Sequence, residues 1–221
     1  MTRNLNIAFL MDPLETLDLK GDTTFALALE AQKRNHHISF FKPEDLMLSN
    51  NDVLAHICKL ELYSSNNLMD FKYHDYFTKP LSKYDVIMMR QDPPFNMAYI
   101  SATHILEKLP TSTLVVNNPF EVRNSPEKIF VTNFTHLMPK TLISRNIEAI
   151  KEFRRKFKDI IIKPLYGNGG HGIFHILPED ENLNSILEMF FSQNKEPLMI
   201  QEYLKDVSCL LYTSPSPRDN R

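Results

Sequence analysis

The chain has 221 residues, 43% of them hydrophobic and 24% charged, which is enough to bury the core of one large domain or two small ones. Its formal net charge of -2 and sequence pI near 6.4 exclude general electrostatic binding to nucleic acid or to an anionic membrane surface. The first apolar run is too short for a signal peptide or a membrane span, and Asp12 and Glu15 follow it at once, so we expect a cytoplasmic protein with neither kind of partner.

The amino-terminal half alternates apolar strands with helices. LNIAFLM, at residues 5–11, is a continuous apolar run typical of a strand that is buried on both faces of a parallel sheet. TTFALALEAQKRN predicts a helix with Asp22 as its N-cap, and HISFF predicts the next strand. YDVIMMR, MAYISATHILEKL and TLVVNN continue as strand, helix and strand. The order predicts a parallel-sheet α/β domain over residues 1–122.

Residues 42–80 give no clear pattern. They are polar, rich in Asn and interspersed with aromatic residues, and only LAHICKLEL within them has some strand character. We therefore assign no elements there.

The pattern changes from residue 123 onward. SPEKIFVTNF predicts a short helix with Ser125 as N-cap and Pro126 at the first helical position. LMPKTLIS, DIIIKPL, GIFHIL and PLMIQEYL are strand-like, and NLNSILEMFF is an amphipathic helix. NIEAIKEFRRKF predicts a second amphipathic helix, whose inward residues are Ile147, Ile150, Phe153 and Phe157. These elements predict an α+β unit over residues 123–207.

The last stretch, residues 208–221, has no hydrophobic periodicity after Leu211 and contains SPSP. This composition predicts disorder, and the stretch resembles the translation of a vector sequence rather than a native carboxyl terminus. We exclude it from reasoning about the fold.

Four of the five glycines lie in one loop, between residues 167 and 172. Gly167, Gly169 and Gly172 satisfy the spacing G-x-G-x-x-G, but a dinucleotide-binding loop opens a helix, whereas GIFHIL is β-branched and aromatic. A Walker A loop carries its lysine after the glycines, whereas Lys163 precedes them. A glycine-rich flap between antiparallel strands, which can close over phosphates, fits the order of residues.

Two lysines are candidates for phosphate contacts. Lys163 lies at the end of the strand before the loop, where its ammonium group could reach a phosphate. The competing interpretation is a mobile hairpin turn with an ordinary surface lysine. Lys128, in EKIF, is by pattern alone a solvated surface residue, and QEYL at residues 201–204 is by pattern alone the edge of a core.

Polar residues also follow the strands of the amino-terminal domain. Asp12 in MDPLE, and Arg90 and Asp92 in RQDPPF, lie beyond the carboxyl ends of strands, where open α/β sheets bind ligands. We predict that they bind substrate; ion pairing within the scaffold is the alternative.

No metal or nucleophile motif is evident. Cys58 and Cys209 are far apart and match no zinc or redox spacing, and the histidines show no ligand spacing. We identify no catalytic residue in the chain as given.

Several of these segments together resemble the prokaryotic glutathione synthetase family of ATP-grasp ligases. The resemblance covers about residues 5–204, and its most specific parts are MDPLE, MRQDPPF and KPLYGNGGHGIF in this order, followed by MIQEYL. It implies an α/β pre-ATP-grasp substrate domain followed by an incomplete α+β ATP-grasp domain.

The resemblance also implies a nucleotide site. Lys128 and Lys163 would contact the phosphates of ATP. The flap and the adenine site would be formed by two further sets of residues: Gly167, Asn168, Gly169, Gly170 and Gly172, and then Gln201, Glu202, Tyr203 and Leu204.

The implied reaction joins γ-glutamylcysteine to glycine through an acyl phosphate, with ATP and Mg²⁺ or Mn²⁺, in a homotetramer. The family pattern continues beyond QEYL, where the metal ligands are expected, so we assign no metal ligand here and expect this chain to be an inactive fragment that binds magnesium-ATP weakly or not at all. The alternatives are another ATP-grasp carboxylate-amine ligase and a non-catalytic nucleotide-binding module.

Overall fold

The computed structural model describes residues 3–65, 68–167 and 169–206. The chain forms two compact units, Met1–Asn124 and Ser125–Arg221. Asn168, Cys209 and the predicted tail at 208–221 lie outside the described residues. None of the helices in the described ranges combines the length and the hydrophobicity that a bilayer crossing needs.

The first unit contains one mixed sheet and three helices. Its strands are β1 (Asn6–Leu10), β2 (His37–Phe41), β3 (Leu46–Ser49), β4 (Asp52–Ser65), β5 (Leu68–Pro80), β6 (Val86–Met89) and β7 (Leu114–Val116). Its helices are α1 (Thr23–Lys33), α2 (Met97–Leu106) and α3 (Pro119–Asn124). Single 3₁₀ turns follow β1, β2 and β5.

The predicted parallel sheet is confirmed for four strands. β1 pairs in parallel with β2 on one side and with β6 on the other, and β7 pairs in parallel with β6. These parallel strands bring their carboxyl ends to one edge of the sheet. The loops that carry Asp12 and Arg90 therefore start from the same edge.

Both faces of this sheet are buried, as the apolar run in β1 predicts. Ala8 and Leu10 point into a cluster with Ala102 and Leu106 of α2. Ile7 and Phe9 point into the opposite cluster, which contains Phe25 and Ala28 of α1. Side chains alternate between the faces of a strand, so a strand covered by helices on both sides needs apolar residues at every position.

Residues 42–80, in which no elements were predicted, form the antiparallel part of the sheet. β4 pairs with β3 and β2, and along most of its length with β5. β5 alternates polar and apolar residues imperfectly, and most of its side chains are exposed or half-buried. An outer strand of this kind buries too little apolar surface to produce a clear pattern.

The second unit is an antiparallel sheet with helices on one face. The sheet has the order β10-β9-β11-β8, and every pair is antiparallel. The strands are β8 (Thr141–Ser144), β9 (Ile160–Pro164), β10 (Phe174–Ile176) and β11 (Leu198–Glu202). The helices are α4 (Glu127–Phe130), α5 (Ile147–Phe157) and α6 (Leu183–Gln193), and a 3₁₀ segment, Val131–Leu137, follows α4.

The core of the second unit lies between the sheet and helices α5 and α6. Ile160 and Ile162 of β9 pack with Ile150 of α5 and with Leu187 of α6. Because side chains alternate along β9, Lys163 points to the opposite face of the sheet. That face carries the candidate site.

Two details of the predicted helices are wrong. α4 begins one residue later than expected: Pro126, not Ser125, is its N-cap, because a ψ of 119° keeps Pro126 outside the helix, and no side chain caps the helix there. Ile147 was predicted to face inward but is 40% exposed, whereas Ile150, one turn later, is fully buried. Ile147 occupies the first helical position of α5, where apolar periodicity does not determine burial.

Candidate functional site

The glycine-rich loop joins two antiparallel strands. β9 and β10 are hydrogen-bonded neighbours, and the loop between them continues into a strand rather than a helix. Gly169, Gly170 and Gly172 have φ angles of +60°, +76° and +70°. This left-handed region is costly for residues with a Cβ atom, so the backbone path itself requires glycine at these positions.

Close packing adds a second reason for glycine at one position. A Cβ atom at Gly172 would lie 2.9 Å from Cγ of Pro164, closer than carbon atoms approach without a shift. At Gly170, by contrast, a Cβ atom would meet nothing within 4 Å. The base of the loop is therefore packed against the end of β9, whereas its tip is open.

Two lysine side chains meet at the base of this loop. The Lys128 ammonium donates a hydrogen bond to the carbonyl oxygen of Gly167. The Lys163 ammonium donates to Oε1 of Gln201 at 2.6 Å. Burial, and then repulsion by Lys128, lower the pKa of Lys163. The two positive charges are thus close enough to repel each other.

Among the described residues, no acidic side chain neutralises the charges of this lysine pair. In the ranges that the structure describes, neither Lys128 nor Lys163 forms an ion pair with a carboxylate. Two adjacent, partly desolvated ammonium groups are unfavourable by themselves and are stabilised by a multivalent anion. The arrangement can bind a polyphosphate.

Gln201 orients Lys163. The Gln201 side chain is buried; its Oε1 accepts from Lys163, and its Nε2 donates to the hydroxyl of Thr141 at 3.0 Å. The Thr141 hydroxyl in turn donates to the carbonyl oxygen of Pro139 at 2.8 Å. Both ends of the Gln201 amide are therefore used inside the protein. Sequence reasoning missed Thr141.

The segment after Gln201 is held by backbone and ring contacts. The Glu202 N–H donates to the carbonyl oxygen of Lys140, and the Tyr203 N–H donates to the carbonyl oxygen of Asp159, both at 3.0 Å. The Tyr203 ring stacks on His175, with centroids 4.0 Å apart and planes inclined by 28°. His175 Nε2 lies 2.5 Å from Oδ1 of Asp159. These contacts fix the path of the chain into Leu204.

His175 and Asp159 were also missed from the sequence. His175 pairs in register with Ile161, on the face opposite the helices, so it shares the face of Lys163 and Gln201. A signal was present, because His175 is the polar residue between Phe174 and Ile176 in an otherwise apolar strand. That signal indicates a different face but not a role.

In the first unit, the structure brings the three predicted substrate residues together. Oδ2 of Asp12 accepts the backbone N–H of Asp92 at 2.7 Å. Arg90 donates to the hydroxyls of Thr23 at 2.9 Å and Thr24 at 3.1 Å. Arg90 is thus anchored to the start of α1 by hydroxyl groups, a contact that the sequence did not indicate.

The charged side chains around Asp92 carry more negative than positive charge. Partial burial, followed by repulsion from Asp12 and Asp22, raises the pKa of Asp92, and Arg90 opposes the rise. Asp22 is also the N-cap of α1, where its Oδ1 accepts the N–H of Phe25 at 2.7 Å. The group can therefore accept a positively charged partner such as an ammonium group. The same hydrogen bonds of Asp12 and Arg90 also connect parts of the scaffold, as the alternative of a structural role requires.

The described residues contain no group of three or more His, Cys, Asp or Glu side chains arranged to hold a metal ion. We assign no metal ligand among them.

Comparison with protein families gives two adjacent matches. Residues 5–123 match the model of the "Prokaryotic glutathione synthetase, N-terminal domain", and residues 127–209 match the "Prokaryotic glutathione synthetase, ATP-grasp domain".

Curated relatives agree with these matches. The chain is 49% identical over 209 residues to the glutathione synthetase of Brucella melitensis, covering 92% of this chain and 65% of that protein. It is 39% identical over 208 residues to the glutathione synthetase of Buchnera aphidicola subsp. Acyrthosiphon pisum, covering 92% of this chain and 64% of that protein. The chain thus spans slightly less than two thirds of the length of these relatives.

Solved structures share the fold. D-cycloserine synthetase DcsG matches with a TM-score of 0.59 and 14% identity, covering 91% of this chain and 61% of that one. A RimK domain protein ATP-grasp from Sphaerobacter thermophilus matches with a TM-score of 0.58 and 16% identity, covering 90% of this chain and 64% of that one. At these identities the likeness concerns the fold alone. The predicted fold, an α/β domain followed by an α+β ATP-grasp domain, is confirmed.

Proposed function

Because this chain belongs to the prokaryotic glutathione synthetase family, we propose that it is part of an ATP-dependent carboxylate-amine ligase that joins γ-glutamylcysteine to glycine. Residues 1–122 are proposed as the substrate domain and residues 123–207 as a partial ATP-grasp domain. ATP and a divalent cation, Mg²⁺ or Mn²⁺, are the proposed cofactors. The proposed enzyme is a cytoplasmic homotetramer that acts on small molecules.

The observation that carries the proposal is the pair Lys128 and Lys163 at the base of the glycine loop. Burial, and then repulsion by Lys128, lower the pKa of Lys163, and a triphosphate between the two lysines relieves the repulsion. Backbone N–H groups of the open loop can approach phosphate oxygens because Gly169 and Gly170 have no side chains. A substrate carboxylate would attack the γ-phosphorus of ATP to give an acyl phosphate and ADP, and the glycine amine would then attack the acyl carbon, forming the amide and releasing inorganic phosphate.

The proposed work of this chain's own residues is binding and orientation. Gln201 accepts a hydrogen bond from the Lys163 ammonium and so fixes the position of that group. Because the N–H groups of Glu202 and Tyr203 already donate to the carbonyl oxygens of Lys140 and Asp159, we assign the adenine edge to the next backbone group, at Leu204. Asn168 is retained as a proposed loop residue. Asp12, Arg90 and Asp92 are the proposed substrate residues, with the carboxylates suited to a substrate ammonium group.

Thermal unfolding of this chain with increasing ATP tests the nucleotide site. A ligand at ten times its Kd stabilises the native state by about 1.4 kcal/mol, so a concentration-dependent rise in Tm is expected even for weak binding. Lys163→Met removes the charge and should abolish the rise, whereas Lys195→Met, at an exposed position in the second unit, should keep it. If ATP leaves the Tm of the unsubstituted chain unchanged at every concentration, the fragment does not form the site.

Phosphate release tests the reaction. Because the chain spans about two thirds of its relatives, we expect no release by the chain alone. The complete protein should release phosphate from ATP only with γ-glutamylcysteine and glycine together. Release with a different pair of substrates would indicate another ATP-grasp ligase, and ATP binding without release by the complete protein would indicate a non-catalytic module.

A further inference from the structure

β5 is the outer strand of the first sheet. Leu54 and Ala55 of β4 pair with β3 and also with β5, so those two strands flank opposite edges of β4. Cys58 likewise pairs with Phe40 of β2 and with Tyr76 of β5. In the described part of the chain, β5 pairs with no strand other than β4. It therefore presents a second, unpaired edge that is up to 13 residues long.

The backbone N–H and C=O of Phe71 point toward this unpaired edge. Its backbone N–H donates to Oδ1 of Asp70 at 2.8 Å, and Leu62, which lies opposite Phe71 on β4, bonds through its own N–H and C=O to the Gln32 side chain. In an antiparallel ladder, the N–H and C=O of one residue point to the same side of the strand. Phe71 thus presents both groups to the unpaired edge, and the Asp70 carboxylate occupies the N–H.

The sequence around Phe71 is complementary to itself. In a two-fold antiparallel pairing centred on Phe71, the two Phe71 residues lie opposite each other and can exchange two backbone hydrogen bonds. The same register places Asp70 of each copy opposite Lys72 of the other. Met69 of each copy lies opposite Tyr73 of the other.

The two faces of this pairing differ in chemistry. Met69, Phe71 and Tyr73 share one face and are half-buried against the cluster under α1. Asp70 and Lys72 share the other face, and both are exposed. Apolar residues would meet apolar residues on one face, and opposite charges would meet on the other, which is the arrangement that stabilises cross-strand pairs.

A bulge limits the possible registers. Tyr73 pairs with Leu60 and Tyr76 pairs with Cys58, so three steps along β5 face two along β4. A second charge-complementary register, centred on Phe77, would include this irregular segment and end at Pro80, which has no N–H. The register centred on Phe71 uses only the regular segment.

We propose that two copies of this chain associate through β5, antiparallel and centred on Phe71, with the Asp70 carboxylate moving from its own backbone to Lys72 of the second copy. The sheets of the two copies then form one continuous sheet across the two-fold axis. This interface depends on the first unit alone and does not require nucleotide.

Charge reversal tests the interface. Sedimentation velocity of the chain at increasing concentration should show conversion from the 25.8 kDa of one chain to twice that mass. Asp70→Lys puts the new lysine opposite Lys72 of the second copy, and Lys72→Asp puts the new aspartate opposite Asp70. Each variant should raise the dimer Kd about tenfold or more. Glu152→Lys, the same charge change at an exposed position in the second unit, should leave it unchanged.

Two combinations restore the charge pairs. In an equimolar mixture of Asp70→Lys and Lys72→Asp, both pairs of opposite charge form between unlike chains, so a heterodimer should appear although each variant alone is weak. A single chain that carries both Asp70→Lys and Lys72→Asp should dimerise like the unsubstituted chain. A monomer at every concentration of the unsubstituted chain, undiminished association of both single variants, or a mixture that stays monomeric would each overturn the proposal. Circular dichroism checks that every variant is folded.

Discussion

Alanine substitutions along the glycine loop should have graded costs that follow from its geometry. Gly167 does not have a positive φ, and a Cβ atom there would lie 3.4 Å from Cβ of Pro164. Gly170 has a φ of +76° and open space around it. Gly172 has a φ of +70° and also the contact of 2.9 Å with Cγ of Pro164. The three positions separate ordinary packing, backbone strain, and strain with overlap.

The expected magnitudes follow from these differences. Gly170→Ala forces a left-handed alanine and should cost about 1–2 kcal/mol. Gly172→Ala adds an overlap with a rigid ring, typically about 1–3 kcal/mol, and should cost about 2–5 kcal/mol in total. Gly167→Ala should be neutral or stabilise by up to about 1 kcal/mol, because alanine restricts the unfolded chain.

Thermal unfolding can resolve the series, since about 1 kcal/mol corresponds to about 2–4 °C for a chain of this size. Tm should fall in the order Gly167→Ala, Gly170→Ala, Gly172→Ala. Equal shifts for the last two would show that Pro164 does not confine the loop. If all three variants melt together, the left-handed path itself is wrong.

Three further predictions concern the nucleotide site and the N-cap of helix α1. His175→Ala removes the ring that stacks on Tyr203, so it should reduce the Tm increase that ATP gives. The Tm increase given by inorganic tripolyphosphate, which has no base, should stay the same. An equal loss with both ligands would contradict the assignment of the adenine site to this segment. An anion that binds Lys163 raises its lowered pKa again, so the complex is more protonated than the free protein, and tripolyphosphate affinity should fall as the pH rises through the lowered pKa of Lys163; Lys163→Arg, whose guanidinium stays charged, should not show this fall. Asp22→Ala should destabilise the first unit by about 1 kcal/mol through loss of the α1 cap, whereas Asp22→Asn keeps a capping oxygen and should cost much less in urea denaturation.

The elements that were predicted correctly are those whose burial is set by local periodicity. β1 is apolar at every position because helices cover both of its faces, and α1 begins after Asp22 because that side chain caps Phe25. The helix boundary at Pro126 was off by one residue, because φ of proline is fixed but its ψ is not. β5 was missed because an outer strand is polar on much of its surface.

The candidate site was only partly visible in the sequence. The glycine spacing after Lys163 indicated phosphate binding, since a run of glycines is otherwise rare in this chain. By pattern alone Lys128 was a surface lysine, and only the family resemblance pointed to it. Thr141 and His175 carried no motif at all, because each acts through a neighbour in space that lies far away in sequence.

The sequence by itself therefore determined the order of strands and helices outside residues 42–80, the antiparallel setting of the glycine loop and the family, because these depend on side-chain periodicity and on contiguous motifs. Only the tertiary structure decided that Lys128 approaches Lys163, that Gln201 is used to hold an ammonium group, and that β5 is left with an open edge. The reason is physical: pairing between strands and repulsion between charges depend on distances across the fold, and residues separated by tens of positions in the chain acquire those distances only when the sheets form.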